Sequence, residues 1–154
     1  MFVIPDELKE FLESGVAVIV GTADDQGRPH LGFVWGLRVH DDRTAVTIFI
    51  ESARAEPTLG DLRANGRIAV TAASPVSYRS IQLKGRSTAI GQTDEADRAR
   101  VQRHRDAFMT ETALVGDSPA VIRNVWMEGD VIRVDVDVER AFDQTPGADA
   151  GNPL

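Results

Sequence analysis

The stretch RIAVTAASPVSYRSIQLKGRSTAIGQ, residues 67–92, decides the fold. It holds two runs, 67–73 and 78–90, that are rich in β-branched and other strand-forming residues. A Ser-Pro turn separates them. Two such runs joined by a short turn predict a pair of antiparallel strands.

The second run carries a row of polar side chains on one face. Because the side chains of a strand alternate, Ser80, Gln82 and Lys84 lie on one face and the apolar Ile81 and Leu83 on the other. A hydroxyl, an amide and an ammonium in a row on a rigid strand suit an anionic or heteroaromatic ligand. The alternation alone favours the simpler alternative, a strand with one solvated face.

Composition indicates one soluble domain. The chain has 154 residues and a net charge of −7, which argues against nucleic-acid or acidic-membrane partners. It has no cysteine, so disulfides and thiolate metal sites are excluded. The N-terminus lacks the basic segment of a signal peptide, and no apolar run approaches the roughly 20 residues that cross a bilayer. We expect a cytoplasmic protein.

The remaining patterns predict an α+β fold that is mainly β. The predicted elements are a helix over 5–14, strands over 16–22, 30–39 and 45–50, a helix over 57–65, strands over 67–73 and 78–90, a helix over 93–109, a helix from 118 that includes Val125 and Trp126, and a strand over 130–138. Short turns favour antiparallel pairing, and six such strands close into a split β-barrel with flanking helices. Residues 1–144 form the predicted domain, and the Gly- and Pro-rich residues 145–154 a flexible tail.

Protein-borne catalytic groups are not evident in the sequence. No histidine pair has metal-ligand spacing, and there is no nucleophile elbow, P-loop or Rossmann glycine motif. We expect His104, in a run of arginines, at the surface, whereas His30 at the start of a strand is the stronger site candidate. Trp35 is a candidate stacking residue for a cofactor, although a core position is the more common role. An enzyme of this kind relies on a bound cofactor.

A phosphate seat is predicted where the third strand meets the next helix. Ser52 and Arg54 lie between the two elements, and Thr58 lies in the first turn of the helix. A helix N-terminus supplies free backbone N–H groups that bind phosphate. An ordinary surface loop is the alternative.

Together these features resemble the FMN-binding split-barrel family, whose fold is that of pyridoxamine phosphate oxidase. The resemblance rests on VAVIVGTADDQGRPHLGFVW, AVTIFIESARAEPTLGDLRANGRIAV and YRSIQLKGRSTAI, and extends from about Leu8 to about Val138. It implies a homodimer with two flavin sites at the subunit interface. It also implies phosphate contacts from Arg38, Ser52, Arg54 and Thr58, and ring contacts from Ser80, Gln82 and Lys84.

Two departures indicate a relative of the oxidase rather than the oxidase itself. Pro57 and Thr58 stand where that enzyme has an Arg-Lys pair, and residues 131–154 lack its tryptophan and arginine substrate motif. Three hypotheses follow: an FMN-dependent oxidoreductase acting on a small organic substrate, a deazaflavin- or haem-binding relative, and a non-enzymatic split barrel that binds a small molecule.

Overall fold

A computed structural model describes residues 1–126 and 129–154, without the side chains of Val125 and Trp126. The apolar positions predicted at those two residues therefore lie outside the described side chains. In chain order the elements are α1 (Asp6–Leu12), β1 (Ala17–Ala23), β2 (Pro29–Val39), β3 (Ala45–Glu51), a 3₁₀ turn (Ser52–Arg54), α2 (Glu56–Asn65), β4 (Arg67–Ala73), β5 (Ser80–Gly91), α3 (Glu95–Leu114), α4 (Pro119–Trp126) and β6 (Val131–Asp143). This is the predicted order.

The six strands of the described chain close into one antiparallel barrel, in the order β1-β2-β3-β6-β5-β4. Successive strands pair where a short turn joins them, as in β1–β2, β2–β3 and β4–β5. The last strand, β6, inserts between β3 and β5 and completes the circle. The predicted six-stranded α+β barrel is confirmed.

Alternation along the strands fills the barrel. In β5 the predicted inward residues Ile81 and Leu83 are buried, and in β6 the buried set includes Val134 and Val136. These side chains join one continuous core with α1 and α2. Burying each such side chain contributes roughly 1.5–3 kcal/mol, so the barrel interior is the main source of stability.

Strand β3 is buried on both faces, and α3 covers its outer face at Phe49. Phe49 and Thr47 point outward, and both are fully buried. Phe49 packs with Trp35 of β2 and Val101 of α3 in a second, smaller cluster. The outer face of this strand is thus covered by the chain itself at Phe49.

Helix α3 begins and ends later than predicted. Asp94, not Thr93, is its N-cap: the Asp94 carboxylate accepts from the backbone N–H of Asp97, whose side chain accepts in turn from the backbone N–H of Asp94. The helix extends past Met109 to Leu114. Its last turn includes Thr112, a residue of low helix propensity that is retained because it is buried.

Strand β6 continues five residues beyond the predicted end at Val138. Its pairing with β5 shifts between Lys84 and Gly85, which leaves Glu139 as an extra residue. The buried residues are then Val138 and Ala141, so the two-residue alternation that marks a strand is interrupted. Because of this bulge, the second half of the strand lacks the alternation of buried and exposed residues from which a strand is predicted.

The C-terminal residues follow β6 closely. The backbone N–H of Gly151 donates to Asp143 O at 2.7 Å, and that of Leu154 donates to Ala141 O at 3.0 Å. The flexibility predicted for residues 145–154 concerns motion and stays a prediction. In the described part of the chain, no helix combines the length and apolar character needed to cross a bilayer.

Candidate functional site

The polar face predicted on β5 exists on the outer wall of the barrel. Gln82 Nε2 donates to Thr71 Oγ1 of β4 at 3.0 Å, which holds the amide in place and leaves its carbonyl oxygen available. The Lys84 ammonium lies 5.0 Å from the centre of the Phe142 ring. The Ser80 hydroxyl, in contrast, donates to Tyr78 O in its own turn. Gln82 and Lys84 are therefore the residues of this face that are positioned for a ligand.

A row of residues crosses the wall at the level of Gln82. Strand register places Gln82 opposite Thr71, Thr71 opposite Ile19, and Ile19 opposite Phe33. Ile19 is 36% exposed, an uncovered aliphatic group next to the polar pair. A surface that offers amide and ammonium groups beside an apolar patch suits a flat heteroaromatic ring.

The predicted phosphate seat is only partly accessible. Arg54 is exposed, and the backbone N–H of Ser52 donates to Asp130 O at 2.9 Å. Thr58 is completely buried, and its hydroxyl has no hydrogen-bond partner among the described residues. Ser52 and Arg54 are therefore the accessible members of the predicted seat.

Two arginines of α3 add positive charge beside Ser52. Arg98 and Arg105 line a cleft of about 630 Å³ together with Ser52 and Thr93. Burial lowers the pKa of Arg105, although the carboxylates of Glu51 and Asp130 oppose that effect. Neither arginine was predictable as a site residue, because α3 is distant in sequence from Ser52 and only the fold brings them together.

Arg38 is engaged in a network on the barrel wall. Its Nη2 donates to Thr47 Oγ1 at 3.3 Å, and that hydroxyl donates to Asp135 at 2.6 Å. His40 Nε2 lies 2.9 Å from the same hydroxyl, and Arg133 binds Asp135 at 3.2 Å. This hydrogen bond engages Nη2, whereas the buried Nε of Arg38 has no hydrogen-bond partner among the described residues. Its role as a phosphate contact stays a prediction.

Trp35 and His104 pack together between β2 and α3. Trp35 is 6% exposed, and its ring meets those of His104 and Phe108 edge to face. The surface position expected for His104 is wrong, because the residue is 5% exposed. Burial lowers its pKa to about 4, opposed by a backbone hydrogen bond with Ser14. The neighbouring arginines misled the prediction, since α3 turns His104 inward and most of them outward.

His30 belongs to a buried polar cluster. Its Nδ1 lies 2.8 Å from Asp61 Oδ2, which also accepts from Thr22 Oγ1 at 2.6 Å. Asp61 is 4% exposed, so both contacts offset the cost of burying the carboxylate. This cluster was not predictable from the sequence, because its members come from β1, β2 and α2.

The two groups of predicted cofactor residues lie on different sides of one chain. Trp35 and Arg38 are on β2, whereas Gln82 and Lys84 are on β5. In the strand order of the barrel, β2 and β5 are three strands apart in both directions, which is the largest separation that six strands allow. A single chain therefore does not bring these groups together.

Comparison with known proteins identifies the fold. A family model described as pyridoxamine 5'-phosphate oxidase matches residues 4–136. HupZ from Group A Streptococcus is similar in structure, with 19% identity, a TM-score of 0.59, and coverage of 97% of this chain and 100% of the other. So are a protein described as F420 reductase (15% identity, TM-score 0.55, 90% and 98% coverage) and an FMN-binding protein from Syntrophomonas wolfei (14%, 0.52, 89% and 86%). No curated protein matches the sequence.

Proposed function

The chain belongs to the pyridoxamine 5'-phosphate oxidase family, and we propose that it is a flavoprotein that binds FMN between two copies of itself. It uses the flavin to oxidise or reduce a small organic substrate. Similar structures include proteins described as FMN-binding and as an F420 reductase, which supports a flavin-type ligand for this wall.

The observation that carries the proposal is the row at Gln82. Flavin needs hydrogen-bonding partners at its polar edge and an apolar surface for its rings. Gln82, fixed by Thr71, offers a carbonyl acceptor, and Lys84 offers a cation for the electron-rich edge. Ile19 on the next strand but one offers the apolar surface. The residues present therefore fit the ring.

The phosphate end requires a different part of the barrel. Ser52 and Arg54 directly follow β3. The additional cations Arg98 and Arg105 of α3 lie beside Ser52. Pairing through β6 places this corner beside the Gly91 end of β5, nine residues or about 30 Å along that strand from Gln82, so one flavin reaches both only if they come from different copies. We therefore propose a homodimer with two equivalent sites.

When bound, FMN supplies the hydride or electron transfer. The chain's own residues hold and orient it. Gln82 accepts a hydrogen bond from a ring N–H, and Lys84 places positive charge where reduction of the ring adds negative charge. Arg54 binds the phosphate, and its exposed position predicts that this contact weakens with added salt.

The decisive experiment is an absorption spectrum of the untreated protein, followed by titration with FMN. We expect FMN binding that Gln82→Ala weakens about 3- to 10-fold, the cost of one hydrogen bond. Arg54→Gln weakens it about 10-fold or more, because it removes a charged partner. Gln26→Ala and Arg103→Gln, at exposed positions away from both corners, are the matched controls.

Each outcome of the titration has a defined meaning. If a deazaflavin binds more tightly than FMN, or if the untreated protein has the spectrum of bound haem, that ligand takes the place of FMN in the proposal. Binding without turnover by a reduced nicotinamide donor favours the non-enzymatic alternative. A light-scattering mass near 16.8 kDa, the mass of one chain, contradicts the shared site.

A further inference from the structure

A basic cleft of about 530 Å³ lies on the outer wall beside the Gln82 row. Its lining includes four cations and one carboxylate: Arg67, Lys84, Arg86, Arg140 and Glu139. The formal charge of this lining is +3, in a chain whose net charge is −7. This local positive charge is opposite in sign to the net charge of the whole chain.

Strand register makes the cluster unfavourable for the fold. Arg67 of β4 pairs directly with Arg86 of β5, and Lys84 of β5 pairs directly with Arg140 of β6. Like charges in directly opposite positions destabilise a sheet. Two such pairs are adjacent, and of their four members Arg86 alone forms an ion pair with a described residue, Glu139. A bound anion would offset the repulsion within both pairs.

Most of these cations have no acidic partner. Arg86 binds Glu139 at 3.3 Å and Asn65 O at 3.1 Å. Arg67 makes no ion pair with any described residue. Lys84 and Arg140 make none either, and instead both lie against the ring of Phe142, at 5.0 and 5.7 Å from its centre. Three of the four cations are therefore available to a ligand.

The floor of the cleft is made of small residues. Gly21, Ala23, Ala69 and Gly85 line it, so the backbone is approachable between the long cationic side chains. The two cation pairs are two residues apart along β5, which corresponds to about 7 Å. A ligand that uses both pairs needs two anionic groups separated by several ångströms.

From this arrangement we propose that the cleft binds a small organic anion with two separated negative groups, either two carboxylates or two phosphates. Arginine is suited to both, because its planar guanidinium binds the two oxygens of either group in parallel. The site needs no flavin. It shares Lys84 with the proposed ring site, so a ligand held here lies next to that ring.

Calorimetric titration of the whole protein at fixed ionic strength tests the proposal. The probes are two pairs that differ in one anionic group: glutarate against butyrate, and fructose 1,6-bisphosphate against fructose 6-phosphate. In at least one pair we expect the ligand with two anionic groups to bind about 10-fold tighter than the ligand with one, because it makes one extra charged contact. The pair that shows this difference identifies carboxylate or phosphate as the natural group.

Three variants separate a site from a general charge effect. Arg67→Gln and Arg140→Gln each weaken binding of the ligand with two anionic groups about 10-fold. Arg103→Gln on the exposed side of α3 removes the same charge and leaves binding unchanged. Removing one member of a like-charge pair also leaves the unfolding temperature of the first two variants equal to or above that of the wild type.

Equal binding of the ligands with two and with one anionic group in both pairs overturns the proposal, as does the absence of any binding at millimolar concentration. An equal loss in Arg103→Gln overturns it as well, because net charge would then account for the effect. FMN binding is measured on the same variants as a separate test of the flavin proposal. Arg67 and Arg140 line the cleft and are not proposed flavin contacts, so the two proposals can fail independently.

Discussion

Burial of His104 makes the stability of the barrel depend on pH. The imidazole packs against Trp35, whose ring also meets Phe108, and burial lowers the pKa of His104 from 6.5 to about 4. As the pH falls below about 6.5, the unfolded chain binds a proton at His104 and the folded chain does not. Stability is therefore fully present above that pH and is lost as the pH falls towards 4.

The magnitude follows from the same two values. The interval from 6.5 to about 4, at 1.36 kcal/mol for each pH unit, corresponds to a loss of about 3 kcal/mol in the free energy of unfolding. That is a large share of the 5–15 kcal/mol typical of a domain. His104→Asn has no titrating group at this position, so it lacks this loss.

The assay is urea unfolding followed by circular dichroism, at pH values from 4 to 7.5 and one protein concentration. Carboxylates contribute to both curves and cancel in the difference between wild type and His104→Asn. We expect the wild type to lose about 3 kcal/mol more than the variant between pH 7 and pH 4. His40→Asn keeps His104 and so retains the loss. Parallel curves for wild type and His104→Asn would refute the reasoning.

Two further substitutions test the packing around the proposed site. Gly85→Ala at the bulge places a Cβ in overlap with Asp137 O, and we expect the free energy of unfolding to fall by more than about 3 kcal/mol in thermal or urea unfolding. Gly91→Ala in the same strand is the control: its Cβ meets open space, and the change stays within about 1 kcal/mol. A tolerated Gly85→Ala would contradict the register of β5 and β6. Thr22→Val keeps the shape of the side chain but removes the hydroxyl that donates to buried Asp61, so urea unfolding should show a loss of about 1–3 kcal/mol. A change below about 0.5 kcal/mol would mean that water or His30 replaces that donor.

Features encoded by neighbouring residues were predictable from the sequence. Alternation gave the faces of β5 correctly, with Ile81 inward and Gln82 outward. The bulge at Glu139 was not predictable, because it depends on how β6 pairs with a strand about fifty residues earlier. The burial of His104 was not predictable for the same reason: the covered face of α3 is set by the barrel that it packs against, and the exposed Arg98 and Arg103 gave no sign of it.

Cross-strand register also explains why the sequence revealed only part of the candidate site. Ser80, Gln82 and Lys84 belong to one strand, so their common face follows from local spacing. Arg67, Arg86 and Arg140 come from three strands, and nothing in their spacing shows that they converge. The local pattern identified a wall that can hold a ring, whereas the positive charge beside it is a property of the closed barrel. Lys84 is the residue at which the two meet, and its loss should therefore affect both ligands.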